Sequence, residues 1–303
     1  MNRGYDKPLY LLPFDHRHSY ITGMCHFTPP LTAEQHDAVA DSKHVIYEGF
    51  QAAIGKRLPK ERAGILVDEE FGAEILRDAT RHGFVTAVST EVSGSDEFEL
   101  EYPDSFAEHI EKFQPTFAKV LVRYNPEGDA ALNQRQTGRL RQLSEYCRQT
   151  SQLFMFELLV PATGGQLESV NGETADYDLQ LRPGLMVETI RTLQNAGVEP
   201  DVWKIEGLDR REDCVRIVEV ARRDGRSEVG CIVLGRGADE QKVVAWLETA
   251  ASVPGFIGFA VGRTTFWDAV ADFLARRTTR AEAVARIARR FREWAGIFER
   301  KKS

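Results

Sequence analysis

Two lysines stand where a lysine is costly. Lys119 lies within Phe117-Ala-Lys-Val-Leu-Val and Lys204 within Val202-Trp-Lys-Ile-Glu, both apolar runs of strand type, while the other lysines fall in helical, loop or terminal stretches. An ammonium inside a strand buried on both faces must be paired or must point at a site. Alternation groups Val202, Lys204 and Glu206 on one face, Met155, Glu157 and Leu159 on a second, and Lys119, Leu121 and Arg123 on a third. Three such faces could converge on a carbonyl compound. A lysine attacks a ketone only as the neutral amine, which burial and a neighbouring cation favour. Lys204 is the candidate nucleophile and Lys119 or Arg123 the cation. Glu157 is a carboxylate able to move protons as water leaves and a C–C bond breaks, with Asp15 as a second. A structural ion pair between Lys204 and Glu157 explains the same pattern, and the residues alone leave both readings open.

Two further motifs bear on the ligand. Leu234-Gly-Arg-Gly and Val261-Gly-Arg-Thr each end an apolar run and lead into a helical stretch. Glycines let backbone N–H groups approach a phosphate, and a helix N-terminus favours negative charge, so Gly235, Gly262 and Arg263, with Arg236 in addition, are candidate phosphate contacts. Two glycine turns with surface arginines are the plainer alternative. His16 and His18 form an HxH, which in some barrels ligates a divalent metal. All seven histidines lie at or before His109, so the later strands offer no further imidazole, and no metal is expected. Metal-assisted chemistry through His16, His18 and Asp68 or Glu157 remains the rival reading. Asp68, Glu69 and Glu70 read mainly as an acidic helix start.

The elements that must position these residues follow a βα alternation. Strands are expected at residues 9–14, 64–67, 84–89, 117–122, 153–158, 202–205, 230–234 and 256–261. Helices are expected at 33–53, 72–82, 132–150, 185–195, 211–223, 240–251 and 265–276, with a last amphipathic helix at 280–300 that closes the barrel or packs on a second subunit. An acidic loop at 93–104 and a polar loop at 161–182 would lie above the site. Eight units, with Phe14-Asp-His-Arg-His where a dinucleotide fold carries its glycine-rich turn, favour a single-domain TIM (β/α)₈ barrel over residues 1–303 rather than a doubly wound sheet. Chemistry then belongs at the C-terminal strand ends.

Composition agrees with an enzyme of this kind. The chain has 303 residues, 42% hydrophobic and 28% charged, enough to bury a large core. A net charge of -7 argues against nucleic acid or an anionic membrane as the main partner. Four cysteines without CxxC spacing suggest reduced thiols, and the absence of a signal-type or membrane-spanning run leads to the expectation of a cytoplasmic protein.

Taken in order, Pro13-Phe-Asp-His-Arg, Ile65-Leu-Val-Asp-Glu-Glu-Phe-Gly, Ala118-Lys-Val-Leu-Val-Arg-Tyr, Phe156-Glu-Leu, Val202-Trp-Lys-Ile-Glu and Gly258-Phe-Ala-Val-Gly-Arg resemble the class I tagatose-bisphosphate aldolase group. The resemblance spans nearly the whole chain and is strongest to the relatives associated with 5-dehydro-2-deoxygluconokinase in inositol catabolism. It implies Lys204 as the Schiff-base lysine, Glu157 as the proton-transfer carboxylate and Lys119 as the neighbouring cation. It also implies Asp15 and Arg17 in the substrate site, with Gly262 and Arg263 on a phosphate. The chain departs from the group at Leu234, where a serine is usual, and at His16, where a glutamine is usual; His16 is read as a substrate contact. For the inositol relatives the implied reaction is cleavage of 6-phospho-5-dehydro-2-deoxygluconate to dihydroxyacetone phosphate and malonate semialdehyde, with no cofactor. A non-catalytic barrel that binds a sugar phosphate is the alternative of a different class.

Overall fold

Apolar runs of five to seven residues, bounded by turn residues and buried along almost their whole length, can satisfy their backbone only by pairing with one another. In the computed structural model, which describes residues 4–302, they do so as a closed barrel of eight parallel strands in sequential order. The strands are β1 (Leu9–Pro13), β2 (Ala63–Val67), β3 (Val85–Ser89), β4 (Phe117–Arg123), β5 (Leu153–Leu159), β6 (Val202–Glu206), β7 (Gly230–Leu234) and β8 (Phe256–Ala260). Each expected strand is present with its ends within one residue. At the closing seam Leu9 pairs with Gly258, and a Cβ on that glycine would run into the carbonyl of Leu9. Only a bare backbone allows this approach.

The helices are α1 (His18–Gly23), α2 (Ala33–Ala53), α3 (Glu69–His82), α4 (Phe106–Phe113), α5 (Ala130–Thr150), α6 (Gly164–Ser169) and α7 (Thr174–Asp176). A π-helical turn, Tyr177–Leu181, follows and leads into α8 (Arg182–Asn195), α9 (Arg211–Ala221), α10 (Glu240–Ala251), α11 (Arg263–Leu274) and α12 (Arg280–Lys302). Helix α3 begins earlier than the apolar period suggests because the Asp68 side chain accepts from Phe71 N and caps it. The segment expected as a loop at 161–182 is largely helical instead. Thr163 and Gln166 form a reciprocal capping box that starts α6, a short-range device that periodicity does not register. Helix α4 is likewise absent from the expected set, although its Ile110 and Phe113 are buried.

Side chains alternate between two cores. Leu9, Leu11, Leu66, Phe117, Met155 and Val202 fill the barrel interior, and the opposite strand faces pack beneath the helices. Helix α12 buries Ile287, Phe291, Trp294 and Phe298 and packs on α2, α10 and α11. Its Phe298 ring meets Tyr10 and Phe259, which stack on each other across the β1/β8 seam. Among the described residues no helix is long and apolar enough to cross a membrane.

Candidate active site

One pleat above the apolar interior the barrel becomes charged. The register sets Glu157 on β5 beside Lys204 on β6, and Leu121 on β4 beside Glu157, so the three faces expected to converge do adjoin. Lys204 Nζ lies 2.5 Å from Glu157 Oε1, and Lys119 Nζ lies 2.9 Å from Glu157 Oε2. Glu157 therefore bridges the two lysines with separate oxygens. Lys119 also lies 2.7 Å from Asp15 Oδ2 and 2.7 Å from Glu91 Oε1, an ammonium met by three carboxylates. Lys119 is fully buried and Lys204 is 3% exposed.

The electrostatics follow from these contacts. Burial alone would lower the proton affinity of Lys119, but Asp15, Glu157 and Glu91 reverse this and hold it well above the usual lysine value. Burial pushes Glu157 up, yet the Lys119 and Lys204 ammoniums outweigh it and keep the carboxyl below its ordinary range. Asp15 is depressed for the same reason, strongly so. Glu91 goes the other way, because its burial exceeds the pull of Lys119 and Arg17 while Asp15 repels it. The result is a fixed cation at Lys119 and an ionised carboxylate in contact with the Lys204 amine. Such a pair can take a proton from the amine and return it.

Above the cluster opens a cavity of about 410 Å³, in the size range of small-molecule sites. Its lining includes Lys204, Glu157, Asp15, His16, Arg17 and Arg123, together with the two glycine turns at Gly235, Arg236, Gly262 and Arg263. Lys119 sits behind that wall. Within the lining the residues differ in what they have to offer. Arg17 gives one nitrogen to Glu101 at 2.7 Å and another to the carbonyl of Glu91, so it braces the β3 loop. Arg123 donates to the Ser95 carbonyl at 2.9 Å. Arg236 is held by Asp178 at 2.7 Å and Glu206 at 3.2 Å. Arg263 is exposed and gives Nη2 to the carbonyl of Arg236 at 2.9 Å.

His16 rests near Gly262 and meets the Phe266 ring edge-on, with its buried Nδ1 lacking a hydrogen-bond partner. Burial pushes its imidazole down to about 4. His18 is exposed. Among the described residues no three His, Cys, Asp or Glu side chains are grouped to hold a metal ion. Asp68 is occupied by the buried Lys43 and by the start of α3.

Sequence reasoning missed Glu91 and Glu101. Glu91 stands two residues beyond β3, where site residues of a barrel belong, and that position was the available signal. The acidic stretch expected to begin at Ser93 is a hairpin-like flap: Glu91 bridges Leu100, and the tip at Ser93, Gly94, Ser95 and Glu97 lines the cavity.

One protein family, described as "Uncharacterized protein conserved in bacteria (DUF2090)", matches residues 2–302. The chain belongs to that family. No curated protein matches the sequence. Among solved structures the chain is similar to the fructose-bisphosphate aldolase of Plasmodium falciparum in complex with TRAP and a small-molecule inhibitor. The TM-score is 0.65 at 14% identity, covering 100% of this chain and 99% of that one. It is similar also to a Schiff-base-forming fructose-1,6-bisphosphate aldolase, TM-score 0.56 at 14% identity over 90% of this chain and 94% of that one. An archaeal fructose 1,6-bisphosphate aldolase gives a TM-score of 0.55 at 13% identity over 92% and 94%. At these identities the likeness establishes the barrel fold.

Proposed function

We propose that this chain is a class I aldolase that forms a Schiff base at Lys204 with a phosphorylated ketose or keto-acid and needs no external cofactor. The observation that carries the proposal is the Lys204–Glu157–Lys119 bridge on the cavity wall, with one carboxylate oxygen on each ammonium. Glu157 can take a proton from Lys204, leaving an amine that attacks the ketone. The same carboxyl returns the proton to the carbinolamine oxygen, which departs as water and leaves a protonated imine. The imine draws in the electrons of the bond between its α and β carbons as that bond breaks, which leaves an enamine, and a carboxylate takes the proton from the β-hydroxyl that becomes the aldehyde. Protonation of the enamine and addition of water then free the second product. Lys119, held as an ammonium by three carboxylates, keeps Glu157 aimed and ionised.

Fold likeness to Schiff-base-forming aldolases supports this reading. For substrate, the resemblance in sequence favours 6-phospho-5-dehydro-2-deoxygluconate, giving dihydroxyacetone phosphate and malonate semialdehyde. The glycine turns after β7 and β8, with Arg263, are the proposed phosphate contacts. Borohydride added with dihydroxyacetone phosphate is expected to leave a mass adduct on the peptide carrying Lys204, and EDTA to leave turnover intact. An unmodified Lys204 in a chain that turns over the ketose would rule the mechanism out.

A further inference from the structure

The turn after β7 is built in an unusual way. Arg236 has φ 51, a left-handed conformation unfavourable for a residue with a side chain, and it stands between glycines that would adopt it freely. An arginine kept there needs a reason in its side chain. Its guanidinium does not reach freely into the cavity: Nη1 is 2.7 Å from Asp178 Oδ2 and Nε is 3.2 Å from Glu206 Oε1. The same two carboxylates serve the buried Arg182, whose Nε is 3.0 Å from Asp178 Oδ1 and whose Nη1 is 3.7 Å from Glu206 Oε2. Two arginines and two carboxylates thus form a compact network balanced in charge, of which Arg236 reaches the cavity wall while Asp178, Arg182 and Glu206 lie behind it.

The network has an output. Glu206 also accepts from Val160 N and Arg182 donates to the carbonyl of Gly207, which fixes the ends of β5 and β6. On the other side the Arg236 carbonyl accepts from Arg263 Nη2 at 2.9 Å, Thr264 Oγ1 donates to the Ala238 carbonyl, and the Arg263 guanidinium lies over Gly237. A path of contacts therefore runs from Asp178, in the π-helical turn, through Arg236 to the cation at the start of α11. We infer that Arg236 is a positioning residue: anchored by Asp178 and Glu206, it sets the β7 turn and the pose of Arg263, and it does not itself grip the substrate's phosphate. This rests on the reading of the two turns as the phosphate site.

The two roles give opposite signs in one variant. If Arg236 were an anion ligand restrained by Asp178, Asp178→Asn would release it and phosphate would bind as well or more tightly. If Arg236 positions, Asp178→Asn loosens the turn, and inorganic phosphate binds about tenfold more weakly by calorimetry, the effect of one lost charged hydrogen bond. In borohydride trapping the half-saturating concentration of dihydroxyacetone phosphate rises by a similar factor, while the adduct yield at saturation stays unchanged. A second measurement does not depend on how that variant folds. Arg236→Asn keeps a residue that tolerates the left-handed conformation, and without ligand its amides at 235–238 and 262–264 are expected to exchange hydrogen faster than in the parent chain. Phosphate binding retained or tightened in Asp178→Asn, or unchanged exchange in Arg236→Asn, overturns the inference. A parent chain that binds no phosphate overturns it together with the reading of the turns. A chain that binds phosphate but forms no adduct at Lys204 removes the aldolase reading and leaves this inference standing.

Discussion

The lower and upper halves of the barrel are made by the same strands and differ by one step of the pleat. On β4 the inward position moves from Phe117 to Lys119, on β5 from Met155 to Glu157, and on β6 from Val202 to Lys204. Below, the side chains are apolar, need no partner and fill the interior. Above, two ammoniums and three carboxylates have left water and are tolerable only because each meets an opposite charge. The lower half can trade residues of similar volume at modest cost. The upper half is costly to build, and stability alone gives no reason for it. Breaking each half in turn tests that division.

The largest effect is expected from Lys204→Met. Replacing the ammonium by a side chain of similar length should abolish borohydride-trapped adduct and turnover while the circular dichroism stays native. Turnover that persists in this variant would remove the Schiff base from the mechanism. Next in size is Lys119→Met, which leaves Asp15, Glu91 and Glu157 facing one another without their shared cation. Removing one partner from a buried charged set costs about 3–5 kcal/mol, so urea unfolding should shift by that order and adduct formation should slow. A variant as stable as the parent would show that these carboxylates do not depend on Lys119.

Met155→Ala probes the lower half. The lost contacts and residual cavity should cost about 2–5 kcal/mol, yet adduct formed per folded molecule should match the parent. If adduct formation per folded molecule fell with stability, the two halves would not be separable. Comparing this variant with Lys119→Met sharpens the contrast, since both destabilise and only one is expected to disturb the bridge.

The difference between the halves also explains what the sequence disclosed. An apolar strand interrupted by a single lysine is conspicuous, so Lys119, Lys204 and Glu157 could be picked out and their faces paired before any coordinates. Glu91 and Glu101 sit in a stretch already rich in Asp and Glu, where residue type singles out neither; Glu91's place just past β3 was the one positional hint, and only the fold of the flap brings the two onto Lys119 and Arg17. Arg236 shows the opposite case. Its place between two glycines at a strand end suggested a ligand contact, but the direction of its side chain depends on Asp178, 58 residues away in sequence, in a segment expected to be irregular. Periodicity finds strands and costly residues; it does not see which of several available charges a flexible side chain meets.

The smallest expected effect lies at His16, where the charged cluster borders the cavity. Asp15 and Glu157 favour its protonated form and Arg263 and Lys204 oppose it, but burial dominates and the imidazole is pushed from an ordinary 6.5 down to about 4. The sign is then fixed. As pH falls below 6.5 the unfolded chain takes up a proton at this residue that the folded chain refuses, so stability declines until about pH 4, where the folded state accepts it too. Asp15 and Glu157, held low, add a separate loss further into the acid range, as the unfolded chain takes up protons on these carboxyls that the folded chain still refuses. His16→Gln removes the first contribution and leaves the second. The profile of Tm against pH should become flatter between 6.5 and 4 and remain steep below that interval. An unaltered slope in the variant would mean that the imidazole is protonated as readily in the folded chain as in the unfolded one, and that the boundary of the charged half is wetter than its geometry implies.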